Sequence, residues 1–212
     1  RVFRDVADLG VCLEKLQPVI DSRIEADVAV MHDWDTRWSL EHCGGLGHDL
    51  KNYMERVAAH HAPFWQRNIA TDVIDADGDF SRYRLIVAPM MTMLKAGQAQ
   101  RIREYVEQGG TFVTTCWSGI YDESMLAWLG GFPGDGLREV FGILDEEIDA
   151  LYPSDRNRLC AATGNELGLE GEFEVSGLCG LIHAESADVW ATYGDDFYAG
   201  RPALTCNNCG KG

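Results

Sequence analysis

The sequence predicts an α/β fold: a parallel sheet flanked by helices, followed by an antiparallel extension. Two observations predict it. Up to Gly119, short apolar runs alternate with amphipathic segments, the pattern of parallel strands joined by right-handed crossovers. Beyond Gly119 the helical periodicity weakens, and short β-like runs separated by glycine-rich turns replace it. At 212 residues the chain is long enough to bury a sizeable core, and we expect one domain over residues 1–212.

The first half of the chain supplies the sheet and its helices. An amphipathic helix opens it, with Val2, Val6, Leu9, Leu13 and Leu16 at steps of three and four, and it ends before Pro18. Short apolar runs predict strands at 27–31, 69–74, 83–88 and 111–115. Helices are predicted between them at 49–61 and 96–108. This order is that of a flavodoxin-like, doubly wound fold.

The second half has a weaker pattern. A short helix is predicted at 137–141, and β-like runs at 173–175, 189–193 and 203–205 indicate the antiparallel extension. Between them, Asp145, Glu146 and Glu147 are adjacent, and we expect them to be solvated on a turn or at a helix start. The last four residues form a turn with no strand after it, so we expect the chain to be an excerpt of a longer one.

The negative net charge of the chain argues against some classes of binding partner. Asp and Glu number 34 against 18 Lys and Arg, a formal net charge of −16. Such a surface repels phosphate backbones, so neither nucleic acid nor an anionic membrane is expected as a partner. No apolar run is long enough for a membrane span. The seven cysteines are odd in number and scattered, which favours reduced thiols in a cytoplasmic protein.

Several stretches, in order along the chain, together carry a family resemblance. They are RVFRDV (1–6), DVAV (27–30) with Asp33, Trp34 and Trp38, LIVAP (85–89), YVEQGGT (105–111), SGIYDE (118–123), LGGFPG (129–134), LRE (137–139) and FYAGRPA (197–203). In these stretches the sequence resembles the middle domain of glycoside hydrolase family 42 β-galactosidases, the trimerisation domain. No single stretch is decisive, but the set is specific.

The resemblance implies a fold like that of class I glutamine amidotransferases, without their chemistry. In the family, this domain follows a (β/α)8 barrel that holds the acid/base and nucleophile glutamates, and the active sites lie near subunit interfaces. The resemblance therefore implies a non-catalytic oligomerisation domain, a homotrimer, and a parent enzyme that binds and hydrolyses terminal β-D-galactosides. It implies no cofactor, and a barrel upstream of Arg1.

An alternative interpretation centres on Cys116. This residue follows the fourth predicted strand, about where amidotransferases place their nucleophile, and His183 and Glu185 mimic the pair that would activate it. The strained turn at such a nucleophile needs small neighbours, whereas Cys116 is flanked by Thr115 and Trp117. The alternative is a cysteine-dependent, amidotransferase-like hydrolase.

The tryptophans suggest an interface. Trp34 and Trp117 are predicted at the carboxyl edge of the sheet, where doubly wound folds place their ligand crevice. We expect Trp34, Trp38 and Trp117 at a subunit interface or at the rim of a neighbour's active site, and Trp65 in the core. A third hypothesis is a carbohydrate-binding module that uses these indoles for sugar stacking.

Two other motifs contain residue types that bind metals. Cys206 and Cys209 have CxxC spacing, but neither a second CxxC nor a histidine pair lies nearby to complete four ligands. His60 and His61 are adjacent and point in different directions, so we expect them to be solvated at a helix end. No metal site is therefore predicted.

Overall fold

A computed structural model of the chain describes residues 2–44 and 48–212. Up to Asp122, the described helices are α1 (Val2–Lys15), α2 (Trp34–His42), α3 (Tyr53–Gln66) and α4 (Gln98–Glu107). The strands are β1 (Val28–Met31), β2 (Thr71–Ile74), β3 (Leu85–Ala88), β4 (Met93–Leu94), β5 (Thr111–Thr114) and β6 (Tyr121–Asp122). Short 3₁₀ turns lie at Gln17–Val19, His48–Leu50 and Phe80–Arg82.

Four of these strands form a parallel sheet in the order β2–β1–β3–β5. In register, Val30 of β1 lies opposite Val73 of β2 and Val87 of β3. Because the strand order reverses at β1, the connections run in both directions along the sheet and place helices on both faces. The predicted parallel sheet is thereby confirmed, and each of its four predicted strands overlaps an observed one. Strands β4 and β6 form a separate parallel pair.

The apolar side chains of the central strand divide between the two faces of the sheet. Ala29 and Met31 pack in one core cluster with Ile102 of α4, whereas Val30 packs in a second with Leu40 of α2 and Val57 of α3. Successive side chains of a strand point to opposite faces, so a strand covered on both sides is apolar throughout. This explains why β1 is a continuous apolar run.

Beyond Asp122 the fold is mainly antiparallel. Its elements are α5 (Leu137–Phe141), β7 (Ile143–Ala150), β8 (Asn157–Ala161), β9 (Glu172–Val175), β10 (Leu178–Ala184), β11 (Asp188–Tyr193) and β12 (Pro202–Cys206). Strand β7 pairs with β10, and the other four form a sheet in the order β12–β11–β8–β9. A third core cluster, which includes Leu181 and Tyr198, lies in this part. The predicted antiparallel extension is confirmed, although β7, β8 and β10 were not predicted.

Several local predictions are wrong. Helix α3 begins at Tyr53 and continues through Pro63 to Gln66, so His60 and His61 lie inside the helix and not at its end. Nδ1 of His60 lies 2.7 Å from the carbonyl oxygen of Arg56, within that helix. Trp65, expected in the core, is 71% exposed. Helix α1 is confirmed, but none of its residues is buried, so its apolar stripe is exposed.

The final turn lies against the end of α4. The amide of Lys211 donates to the carbonyl oxygen of Glu107 over 3.1 Å, and the amide of Cys209 donates to Gly212 over 2.8 Å. The last residues therefore pack on α4, beside the parallel sheet. Across the described residues, no helix combines the length and the apolar character that crossing a membrane requires.

Candidate functional site

Two tryptophans lie side by side on the surface of α2. Trp34 and Trp38 are four residues apart and therefore share one face of the helix, and each is 53% exposed. Their ring centroids are 5.9 Å apart, and the guanidinium carbon of Arg37 lies 5.1 Å from the centre of the Trp34 ring. Exposed indoles packed side by side next to an arginine are typical of surfaces that a partner covers.

Asp33, two residues after the end of β1, fixes the start of α2. Its Oδ1 accepts a hydrogen bond from the amide of Thr36 over 2.8 Å, which caps the helix. Its own amide donates to the hydroxyl of Tyr53 on α3 over 3.0 Å. Because Asp33 is buried, these bonds hold the base of the tryptophan pair rigidly against the sheet.

Lys95 joins three carboxylates beside this helix. Its Nζ lies 2.7 Å from Asp33 Oδ2, 2.8 Å from Asp35 Oδ2 and 3.6 Å from Asp77 Oδ2. Burial acts to lower the pKa of Lys95, but the hydrogen-bonded carboxylates of Asp33 and Asp35 outweigh it and raise the pKa above its usual value. No local sequence pattern indicates this network, because Lys95 lies far along the chain from Asp33 and Asp35.

An open cleft of about 670 Å³ lies next to this network. Its walls include Asp35, Trp38, His42, Lys95 and Glu123. An indole beside carboxylates and an ammonium group suits polar, hydroxyl-rich ligands as well as a polar protein surface. The cleft continues the exposed surface of the tryptophan pair.

Trp117 lies beyond the carboxyl end of β5, as predicted, but its side chain is not on the surface. It is 9% exposed and belongs to the core cluster that contains Val30 and Leu40. The Nζ of Lys51 lies 4.5 Å from the centre of its ring. Lys51, itself 2% exposed, was not recognised in the sequence. Trp117 can therefore contribute to an interface only from below, by supporting the residues that form the surface.

Cys116 does not have the environment of a nucleophile. The left-handed backbone falls on Trp117, with φ of 66°, and the chain then runs to β6 instead of entering a helix as a nucleophile elbow does. Burial, and then the charge of Asp145, raise the pKa of the Cys116 thiol to about 12. A nucleophilic cysteine needs the opposite shift, because the thiolate is the reactive form.

The proposed partners of Cys116 are engaged elsewhere. Nε2 of His183 lies 2.6 Å from Oε2 of Glu146 on the exposed surface. Glu185 receives a hydrogen bond from Nε of Arg138 over 2.7 Å. The sequence alternative of a Cys116–His183–Glu185 triad is therefore not supported.

The CxxC pair lies at the end of the last strand. Cys206 and Cys209 are partly buried, and neither forms a disulfide. Among residues 2–44 and 48–212, no group of three or more His, Cys, Asp or Glu side chains is arranged to hold a metal ion.

Of the site predictions, the one for Asp145 differs most from the structure. This residue lies in β7 and not on a turn or at a helix start, and it is 8% exposed, whereas Glu146 and Glu147 are exposed as expected. Burial raises the pKa of Asp145 to about 7. A register shift in the β7–β10 pairing, between Leu181 and Ile182, interrupts the alternation that would have revealed an inward-facing residue.

Residues 26–212 match the family model described as the β-galactosidase trimerisation domain. The chain belongs to this family. It is therefore an assembly domain and not the catalytic part of a glycoside hydrolase, which agrees with the resemblance found in the sequence. The matched region starts after α1, at the residues that lead into β1.

Curated relatives match the whole chain. The β-galactosidase Pbg of Clostridium perfringens is 50% identical over 212 residues, and the β-galactosidase BglY of Alicyclobacillus acidocaldarius is 46% identical over 212 residues. Each match covers 100% of this chain and 31% of the relative. The chain thus spans about a third of the length of these relatives.

Solved structures show the same fold. The cold-adapted β-galactosidase from Rahnella sp. R3 superposes with a TM-score of 0.89 at 48% identity, and the β-galactosidase from Bacillus circulans sp. alkalophilus with a TM-score of 0.89 at 46% identity. Both matches cover 100% of this chain and 31% of the other. The trimerisation domain is thus similar along its whole length to about a third of the length of each of these two proteins.

Proposed function

We propose that this domain holds the subunits of a β-galactosidase together as a homotrimer, and that the enzyme hydrolyses terminal β-D-galactosides in the cytoplasm. The observation that carries the proposal is the family match over residues 26–212, together with relatives named β-galactosidases that cover the whole chain. The cytoplasmic location is supported by the odd, scattered set of seven cysteines.

The tryptophan pair of α2 is the proposed contact with a neighbouring subunit or with the rim of its active site. A cyclic trimer requires a heterologous interface, in which one surface patch meets a different patch of the next copy. Trp34 and Trp38 offer a large, rigid contact area that Asp33 holds in place. Trp117 supports this region from the core through the cluster that includes Leu40 of α2.

Sedimentation of the complete β-galactosidase that carries this domain tests the proposal. Trp34→Ala and Trp38→Ala should shift the trimer towards smaller species or lower galactoside hydrolysis at least several-fold. Trp65→Ala is the matched control, since Trp65 is equally large and more exposed but lies at the far end of α3. A wild-type protein that sediments as a monomer would contradict the trimer. Unchanged assembly and unchanged kinetics in both α2 variants would show that the tryptophan pair is not part of the subunit contact.

A further inference from the structure

A cavity with both polar and apolar walls lies between the parallel sheet and the antiparallel extension. Its volume is about 150 Å³, and its lining includes Thr114 and Cys116 at the end of β5, Asp145 of β7, Gly180 of β10 and Tyr193 of β11. It therefore occupies the carboxyl edge of the sheet, where doubly wound folds bind ligands, but here the antiparallel strands cover that edge. An apolar cavity of this size stays dry, whereas polar groups in the lining allow a cavity to hold ordered water.

One carboxylate oxygen in this cavity lacks a partner. Oδ1 of Asp145 is buried and accepts no hydrogen bond from any described residue. The backbone beside it is well fixed, because the amide of Asp145 donates to the carbonyl oxygen of Phe132 over 2.8 Å. A buried carboxylate without a partner is costly, so Asp145 in its ionised form needs a counter-ion that the described side chains do not provide.

The neighbouring groups do not supply that partner. The Thr114 hydroxyl donates to Ala88 O over 2.9 Å, and the Tyr193 hydroxyl donates to Gly180 O over 3.1 Å. Among the described residues that line the cavity, none is Lys, Arg or His. When Asp145 is ionised, the cavity thus has oxygen atoms and a negative charge, but no cation from its described lining residues.

We propose that this cavity binds a small monovalent cation, Na⁺ or K⁺, which pairs with the Asp145 carboxylate and completes its coordination with lining oxygens and water. One carboxylate balances one positive charge, whereas Ca²⁺ and Mg²⁺ are typically bound by more than one acidic group or by phosphates. Softer metals prefer thiolate and imidazole ligands, whereas in the described part of the lining the Cys116 thiol is the only sulfur.

Gly180 provides a variant that blocks the site without removing its charge. A Cβ added there would lie 3.5 Å from Cys116 Cβ and 3.9 Å from Asp145 Oδ1, which are ordinary van der Waals distances. Gly180→Ala therefore fits the fold and fills the space in front of the carboxylate. Asp145→Asn removes the charge at nearly constant shape. Glu147→Gln, an exposed change of the same charge on the same strand, is the matched control.

Thermal unfolding of the 212-residue chain at pH 8.5 tests the site, with NaCl or KCl replacing choline chloride at constant ionic strength. Bound Na⁺ or K⁺ at about ten times its dissociation constant should raise the Tm by about 3–6 °C, in the wild-type chain and in Glu147→Gln. Asp145→Asn and Gly180→Ala should lose this rise. An equal Tm in choline, or a rise that survives in both cavity variants, would overturn the proposal. So would crystals soaked in RbCl that show no anomalous peak beside Asp145.

Discussion

The Nζ of Lys51 lies 4.5 Å from the centre of the Trp117 ring and donates a hydrogen bond to the carbonyl oxygen of Cys43 over 3.1 Å. This contact joins the segment before α3 to the loop after β5, on the face of the sheet where α2 also packs. A buried ammonium group is tolerated here because the negative face of the indole and a carbonyl dipole replace water. Lys51 is thus a structural part of the region beneath the tryptophan pair.

Lys51→Met tests this role. Methionine keeps most of the volume but removes the hydrogen bond and the cation–π contact, so we expect the free energy of unfolding to fall by about 1–3 kcal/mol. Urea denaturation followed by circular dichroism measures it. Lys15→Met, a change of an exposed lysine on α1, is the control and should alter stability by less than about 0.5 kcal/mol. Equal effects of the two changes would refute the role of Lys51.

Asp33 and Asp35 give a second matched comparison. Both pair with Lys95, but only Asp33 is buried and also caps α2. We expect Asp33→Ala to lower the free energy of unfolding by about 2–4 kcal/mol, since it removes a cap and a partly buried ion pair. Asp35→Ala should cost less than about 1 kcal/mol, because its carboxylate is half exposed. Thermal and urea unfolding should both show this order, and the reverse order would contradict it.

The parallel sheet was predictable because its strands are short apolar runs between amphipathic helices. Strand β1 illustrates this, since burial on both faces makes it apolar at every position. Its neighbour α3 was placed less well. The helix was predicted at 49–61, but it begins at Tyr53 and continues through Pro63 to Gln66. Helix existence was thus predictable, and its boundaries were not.

The site was less predictable than the fold. Strand β7 was missed because it carries four acidic residues, and the register shift at Leu181 and Ile182 breaks its alternation. The burial of Asp145 and Lys51 depends on contacts between distant segments, which local patterns do not encode. Trp34 and Trp117 were placed correctly at the carboxyl edge, but the sequence did not reveal that one is exposed and the other buried.

The environment of Cys116 predicts a nonreactive thiol. Burial raises its pKa to about 12, so the thiolate fraction at pH 8 is very small. In the native chain, iodoacetamide at pH 8 should modify the exposed Cys12 at least a hundred times faster than Cys116. Mass spectrometry of the peptides measures both rates, and unfolding in urea should make them equal. Fast native alkylation of Cys116 would revive the hydrolase alternative.

The buried carboxyl of Asp145 should make stability depend on pH. Its pKa is about 7 in the folded chain and about 3.9 in an unfolded one, so the folded state binds this proton more tightly. The resulting stabilisation is complete below about pH 4 and is lost as the pH rises through 7, at up to about 1.4 kcal/mol per pH unit. Cys116 and Tyr193 face the carboxyl across the cavity, and raised pKa values keep both neutral over this range.

Urea denaturation between pH 4.5 and 8.5, in buffers with choline as the cation, isolates this contribution. Other carboxylates add the opposite slope, because hydrogen bonds with His183 and then Arg201 lower the pKa of Glu146, and a hydrogen bond from Arg138 lowers the pKa of Glu185. The informative quantity is therefore the difference between the wild-type chain and Asp145→Asn. That difference should favour the wild type at pH 5 and shrink or reverse by pH 8, because asparagine cannot ionise. A difference that stays constant across this range would show that Asp145 is ionised throughout, and that its carboxylate has a partner in the folded chain.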